Sequence, residues 1–112
     1  MLGCPGETVA DIRLTQAFVR GADLTSVGVC LATPYPGTEM WQQCADQGKI
    51  PDDLDWDAFT YDRTPVRVCD TIDVKTLEAL YRETCQMVAD KDPRNRVSLL
   101  TVGLSLIHHP WA

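Results

Sequence analysis

The stretch Thr25-Ser26-Val27-Gly28-Val29-Cys30-Leu31-Ala32 constrains this chain most. Val27, Val29 and Leu31 alternate with Ser26, Gly28, Cys30 and Ala32, and no charge falls on either face. Such a segment reads as a strand buried on both sides, as in a parallel sheet covered by helices. Two prolines in Thr33-Pro34-Tyr35-Pro36-Gly37 then prevent its continuation. Thr38 caps a short helix with Met40, Trp41, Cys44 and Ala45 inward, and Gly48 stops it.

The chain opens in the same way. Met1-Leu2 runs into the turn Gly3-Cys4-Pro5-Gly6, and Thr8 pairs with Asp11 in the spacing of a capping box. Gly6 is expected at positive φ. Val9, Ile12, Phe18 and Val19 predict a helix over Val9 to Arg20, with Gly21 as its stop. The order strand end, helix, strand, helix is a βα repeat with a crossover suited to parallel neighbours. At 112 residues there is room for one small domain, yet only one full strand and one stub are visible. The expectation is therefore an α/β chain that is a piece of a larger unit.

Three regions follow: 1–50, the βαβα portion; 51–92, an acidic and aromatic loop and a helix; and 93–112, an unmatched apolar tail. Trp56, Phe59 and Tyr61 pin the loop, which is rich in aspartate. Asp73 caps the last helix, and Val74, Leu77, Leu80, Tyr81, Met87 and Val88 form its inner stripe. Pro93 ends that helix.

Composition narrows the function classes. Sixteen acids against ten bases give a net charge of −6, which argues against a nucleic-acid binder. No apolar run reaches the ~18–20 residues of a membrane span. Met1 to Asp11 lacks the pattern of a secretory signal, so a cytoplasmic location is expected. Cys4, Cys30, Cys44, Cys69 and Cys85 form no CxxC pair and read as reduced and mostly buried. Asp52, Asp53, Asp55 and Asp57 lack the spacing of a calcium loop. His108 and His109 are adjacent and diverge, so they do not make a metal pair. Ser26, Ser98 and Ser105 lie in no nucleophile elbow.

Taken together, Gly3-Cys4-Pro5-Gly6-Glu7-Thr8 and Thr33-Pro34-Tyr35-Pro36-Gly37-Thr38 resemble two turns of the radical S-adenosylmethionine (SAM) core. The likeness is to its cobalamin-associated, anaerobic cyclase-like and methyltransferase-like branch, and it covers about residues 1 to 92. It implies the last strands and helices of a partial (β/α)6 barrel plus a C-terminal helix. Met1, Gly3 and Leu31 would then be cofactor-binding, with Met1 and Leu31 near the SAM adenine and Gly3 letting the backbone pass close. Glu7 and Thr8 fix the turn and cap the helix. The family's CxxxCxxC cluster motif is missing, so no catalytic or metal-ligating residue is assigned. The resemblance implies SAM and a [4Fe–4S] cluster in a parent enzyme acting on an unactivated carbon, with cobalamin left open, and no cofactor on the isolated chain. The expected partners are the missing N-terminal barrel half or a second copy. The alternative is a non-catalytic α/β interaction module that associates through its open sheet edge.

Overall fold

The computed structural model describes residues 1–24, 26–60, 62–63 and 65–91. It contains three helices, α1 (Val9–Gly21), α2 (Glu39–Asp46) and α3 (Val74–Lys91), and a 3₁₀ turn over Trp56–Ala58. The chain is a small helical protein, not an α/β barrel fragment: no strand or sheet forms among the described residues. The extended segments leave one parallel bridge, Leu2 with Leu31, and one antiparallel bridge, Thr60 with Arg63. The turn at Gly3, with φ 80°, ends the extended run directly after Leu2. Among the described residues Leu2 alone bridges to the segment 26–32, so no ladder grows.

The parallel bridge is nevertheless well made. The Leu2 N–H donates to the Cys30 carbonyl at 2.9 Å, and the Ala32 N–H donates to the Leu2 carbonyl at 2.7 Å. Successive residues of an extended segment point to opposite sides, so the bridge divides the interior. Leu2 and Leu31 join Ile12, Cys69, Ile72 and Leu80 on one side. Ala32 joins Cys44, Phe59, Val66 and Val68 on the other. Helices α1 and α3 supply the first side; α2 and the aromatic loop supply the second.

Helix α1 begins as its sequence predicts. The Asp11 N–H donates to Thr8 Oγ1 at 3.2 Å, and the Thr8 N–H donates to Asp11 Oδ2 at 2.8 Å. Its inner face differs from the expected one. Phe18 is 69% exposed and Val9 is also exposed, while Ile12, Gln16 and Val19 are buried. The polar Gln16 faces inward because it has a partner there: its Nε2 donates to Thr84 Oγ1 of α3 at 2.9 Å. Thr84 Oγ1 in turn donates to the Leu80 carbonyl at 2.7 Å. Gly21 does not take the left-handed turn expected of a stop. Instead Lys91 Nζ, from the end of α3, donates to the carbonyls of Val19, Arg20 and Ala22. An ammonium there satisfies orphan carbonyls and meets the negative end of the helix dipole.

In α2 the Trp41 N–H donates to the capping Thr38 Oγ1 at 3.2 Å. Cys44 is buried and Met40 and Trp41 are half-buried, but Ala45 is exposed. In α3 the Thr76 N–H donates to Asp73 Oδ1 at 3.0 Å. Leu80 and Val88 are buried as expected, whereas Val74 is exposed. The tail 93–112, with Pro93, His108 and His109, lies outside the described residues.

Gly3 and Gly6 sit at φ 80° and 73°. A Cβ on Gly3 would lie 2.9 Å from Leu77 Cδ2, whereas a Cβ on Gly6 would meet nothing within 4 Å. Each Gly→Ala change should cost about 1–2 kcal/mol through the backbone. Gly3→Ala should lose roughly 1–3 kcal/mol more by crowding Leu77. Equal losses in urea melts of the two variants would refute the role given to Leu77. Thr84→Val should destabilise by about 1–3 kcal/mol, because it strands the buried Gln16 amide. Adding Gln16→Leu should recover part of that loss, and a double-mutant cycle with zero coupling would count against the pair.

Candidate functional site

The parallel bridge fixes where the two glycine–proline turns lie. Leu2 and Leu31 run in the same direction, so Gly3-Cys4-Pro5-Gly6 and Thr33-Pro34-Tyr35-Pro36-Gly37 leave from the same end of the pair. Beside that end is a cleft of about 1030 Å³. Leu2, Gly3 and Leu31 border it, with Asp55, Asp57, Asp62 and Arg63, residues 65–69, and Leu77, Tyr81 and Cys85 of α3.

Of the three residues singled out from the sequence, two meet at this cleft. Gly3 is buried and Leu31 is 9% exposed, and both line it. Met1 does not line it and is 59% exposed. The place over the Gly3 Cα that a close-packed ligand would take is held by Leu77.

The first turn is closed by its own acid. Both the Gly3 and the Cys4 N–H donate to Glu7 Oε2, at 2.5 and 3.2 Å. A carboxylate thus sits where backbone N–H groups would otherwise receive an anion. The later loop grips the same turn: Thr71 Oγ1 and Cys69 Sγ both donate to the Glu7 carbonyl. The four-residue spacing of Gly3 and Glu7 carries this signal in the sequence. The grip of the 69–71 loop is a long-range contact with no local signal.

Sequence reasoning treated Tyr81 as plain core, but it is half-buried on the cleft wall with Cys85 one turn on. Burial, then the neighbouring Cys85, pushes the Tyr81 phenol up. Burial likewise raises the Cys85 thiol, with Asp62 adding to it and the Tyr81 hydrogen bond opposing. Burial and then Glu7 raise Cys4, and burial raises Cys44 against the pull of Lys49. All five cysteines are free thiols. Raised thiols are poor nucleophiles and poor metal ligands at neutral pH. Among the described residues, no three His, Cys, Asp or Glu side chains are grouped to hold a metal ion. No helix among them is long and apolar enough to cross a membrane. Comparison with protein-family models, curated proteins and solved structures yields no match.

These shifts set an alkaline limit on stability. The folded chain keeps protons on Cys4, Cys44, Cys85 and Tyr81 that the unfolded chain releases from the ordinary values of 9.0 and 10.0 upward. Their contribution is whole below pH 9.0 and is lost as pH rises through the folded values. The urea midpoint should therefore fall between about pH 8 and about pH 11. A flat midpoint over that range would contradict the burial of these groups.

Proposed function

We propose that this chain is the carboxy-terminal portion of a cytoplasmic radical SAM enzyme. Its share is part of the wall around SAM, and the cluster ligands come from elsewhere in the enzyme. The observation supporting this reading is the parallel bridge of Leu2 and Leu31. It sets the two resembling turns side by side at the end where parallel segments commonly present ligands.

The residues fit the two implied groups unequally. The described residues offer no metal-holding group, so no step through an iron–sulfur cluster is assigned to them. SAM fits in part: Gly3 and Leu31 lie on a cleft of suitable size, with Leu31 offering an apolar contact. Met1 stands apart from that cleft, and Leu77 limits the approach over Gly3. In such an enzyme SAM and the cluster supply the chemistry at an unactivated carbon, with cobalamin as a further candidate cofactor. The chain's own part is mechanical. Glu7 holds the first turn rigid, Leu2 and Leu31 hold the two turns together, and α3 shields the cleft from water on one side.

A second reading is a non-catalytic module that pairs through its open edge. In its favour, no backbone hydrogen bond joins Val27, Gly28 or Val29 to another described residue. Such groups can receive another strand.

The DNA ahead of the Met1 codon separates the two. An in-frame CxxxCxxC supports the enzyme; a stop codon with no such motif in frame leaves only the module. Anaerobic reconstitution of the 112-residue chain with iron and sulfide should give no stoichiometric cluster and no 5′-deoxyadenosine. Its five cysteines are at least 14 residues apart in sequence, unlike the close spacing usual in cluster motifs. A full cluster signal from this chain would overturn the division of labour proposed above.

A further inference from the structure

The excess negative charge of the chain and two of its exposed aromatic rings, Tyr35 and Trp56, fall in one region. Residues 38–62 hold seven acids and one base, which is the whole net charge of −6; the rest has nine of each. The base, Lys49, is already engaged by Asp70 Oδ2 at 2.6 Å and by the Val68 carbonyl. Four rings meet in the same region. Phe59 is the hub, with centroids 5.4 Å from Tyr35, 5.8 Å from Trp56 and 6.3 Å from Trp41. Trp41 and Trp56 stack at 5.9 Å with their planes 22° apart.

This cluster is built to present rings, not to hide them. Phe59 is buried, yet Trp56 is 58% exposed and Tyr35 is 46% exposed. Asp55 fixes the presentation, because its Oδ1 accepts the N–H groups of Asp57 and Ala58 and so nucleates the turn that carries Trp56. The exposed Asp52, Asp53 and Asp57 surround that turn in sequence. The rings of Tyr35, Trp41 and Trp56 do not line the cleft, whereas Asp55 and Asp57 do, so the patch adjoins the site above and shares its acidic edge.

We propose that this aromatic and acidic face docks a basic, arginine-bearing segment of a partner protein. A guanidinium stacks on the open face of Trp56, and the carboxylates of Asp52, Asp53 and Asp57 neutralise the neighbouring cations. Charge complementarity selects this occupant. Phosphate-rich nucleic acid and anionic lipid are repelled, and a second copy would set like charges against each other. Arginine is favoured over lysine because its planar cation stacks on an indole while still donating to carboxylates.

The test titrates the full 112-residue chain with hexa-arginine, hexa-lysine and hexa-glutamate peptides, reading tryptophan fluorescence and calorimetric affinity at low and high salt. Hexa-arginine should bind most tightly, quench the indole emission and weaken as salt rises; hexa-glutamate should not bind. Trp56→Ala should weaken the arginine peptide by about tenfold, as loss of a cation–π contact predicts. The triple change Asp52→Asn, Asp53→Asn, Asp57→Asn tests the charges at exposed positions that the fold does not use. It should flatten the salt dependence. If Trp56→Ala fails to fold, Trp56→Phe replaces it and should bind at intermediate strength. Equal binding of the arginine and glutamate peptides, or an unchanged affinity in both the ring and the charge variants, would overturn the proposal. So would tighter binding of anionic vesicles or of an RNA oligonucleotide than of hexa-arginine.

Discussion

The two hydrogen bonds between Leu2 and the segment through Leu31 organise this molecule. They join chain positions almost thirty residues apart, and they do so with backbone groups, so the register is fixed before any side chain is considered. Leu2 is fully buried by this pairing, which removes a whole leucine side chain from water and is worth about 1.5–3 kcal/mol. At the bridge the extended segment then sends neighbouring residues to different cores. Leu31 and Val29 turn towards α1 and α3, and Ala32 turns towards α2 and the aromatic loop. A single bridge therefore does what a middle layer does in a larger protein.

The turn after Leu2 is where the two halves of the chain lock. Glu7 satisfies the Gly3 and Cys4 N–H groups from within, and Cys69 and Thr71 reach the Glu7 carbonyl from outside. Leu77 closes over Gly3 from α3. Residues 66 to 72 extend the same logic, since Val66 and Val68 fill one core while Cys69 and Ile72 fill the other. Arg67, between them, holds that crossing in place by donating to the carbonyls of Cys69 and Ile72 at 3.0 and 3.1 Å.

What was legible in the sequence is what local chemistry decides. Thr8 with Asp11, Thr38, and Asp73 each mark a helix start through side-chain hydrogen bonds a few residues long, and each forms. Gly6 takes positive φ because the turn geometry around it is also local. The strand reading failed for a different reason. Absence of charge in 27–32 suggests burial on two sides, but only Leu31 and Ala32 are buried, and helices and loops cover them in place of neighbouring strands. Phe18 was expected inward and is exposed, because the buried face of α1 includes Gln16, and hydrophobicity alone does not reveal Thr84, 68 residues away, accepting its amide. Helix α1 does end at Gly21, but without a left-handed turn, because its last carbonyls are met by a lysine from the other end of the fold. At the candidate site, the two turns were visible as motifs, and Gly3 and Leu31 do share a cleft. Leu77 and Tyr81, which shape that cleft, were invisible because α3 reaches it only through tertiary packing.

The aromatic and acidic segment follows from the need to cover the second core with little secondary structure. Helix α2 has only eight residues and buries one of them fully, so it cannot close the Ala32 side alone. The loop after it must supply apolar mass, and Ile50, Leu54 and Phe59 do so from an irregular backbone. Irregular backbone keeps most of its polar groups near water, so the residues between those anchors are free to be charged. Their charges need not be of one sign for the fold's sake. That they are acidic, while the rest of the chain balances its charges, adds mutual repulsion that the fold must withstand. The stacked indoles and the Asp55 turn supply the rigidity that resists it. A segment that accepts repulsion and holds an exposed tryptophan in a set orientation is shaped by more than the covering of a core.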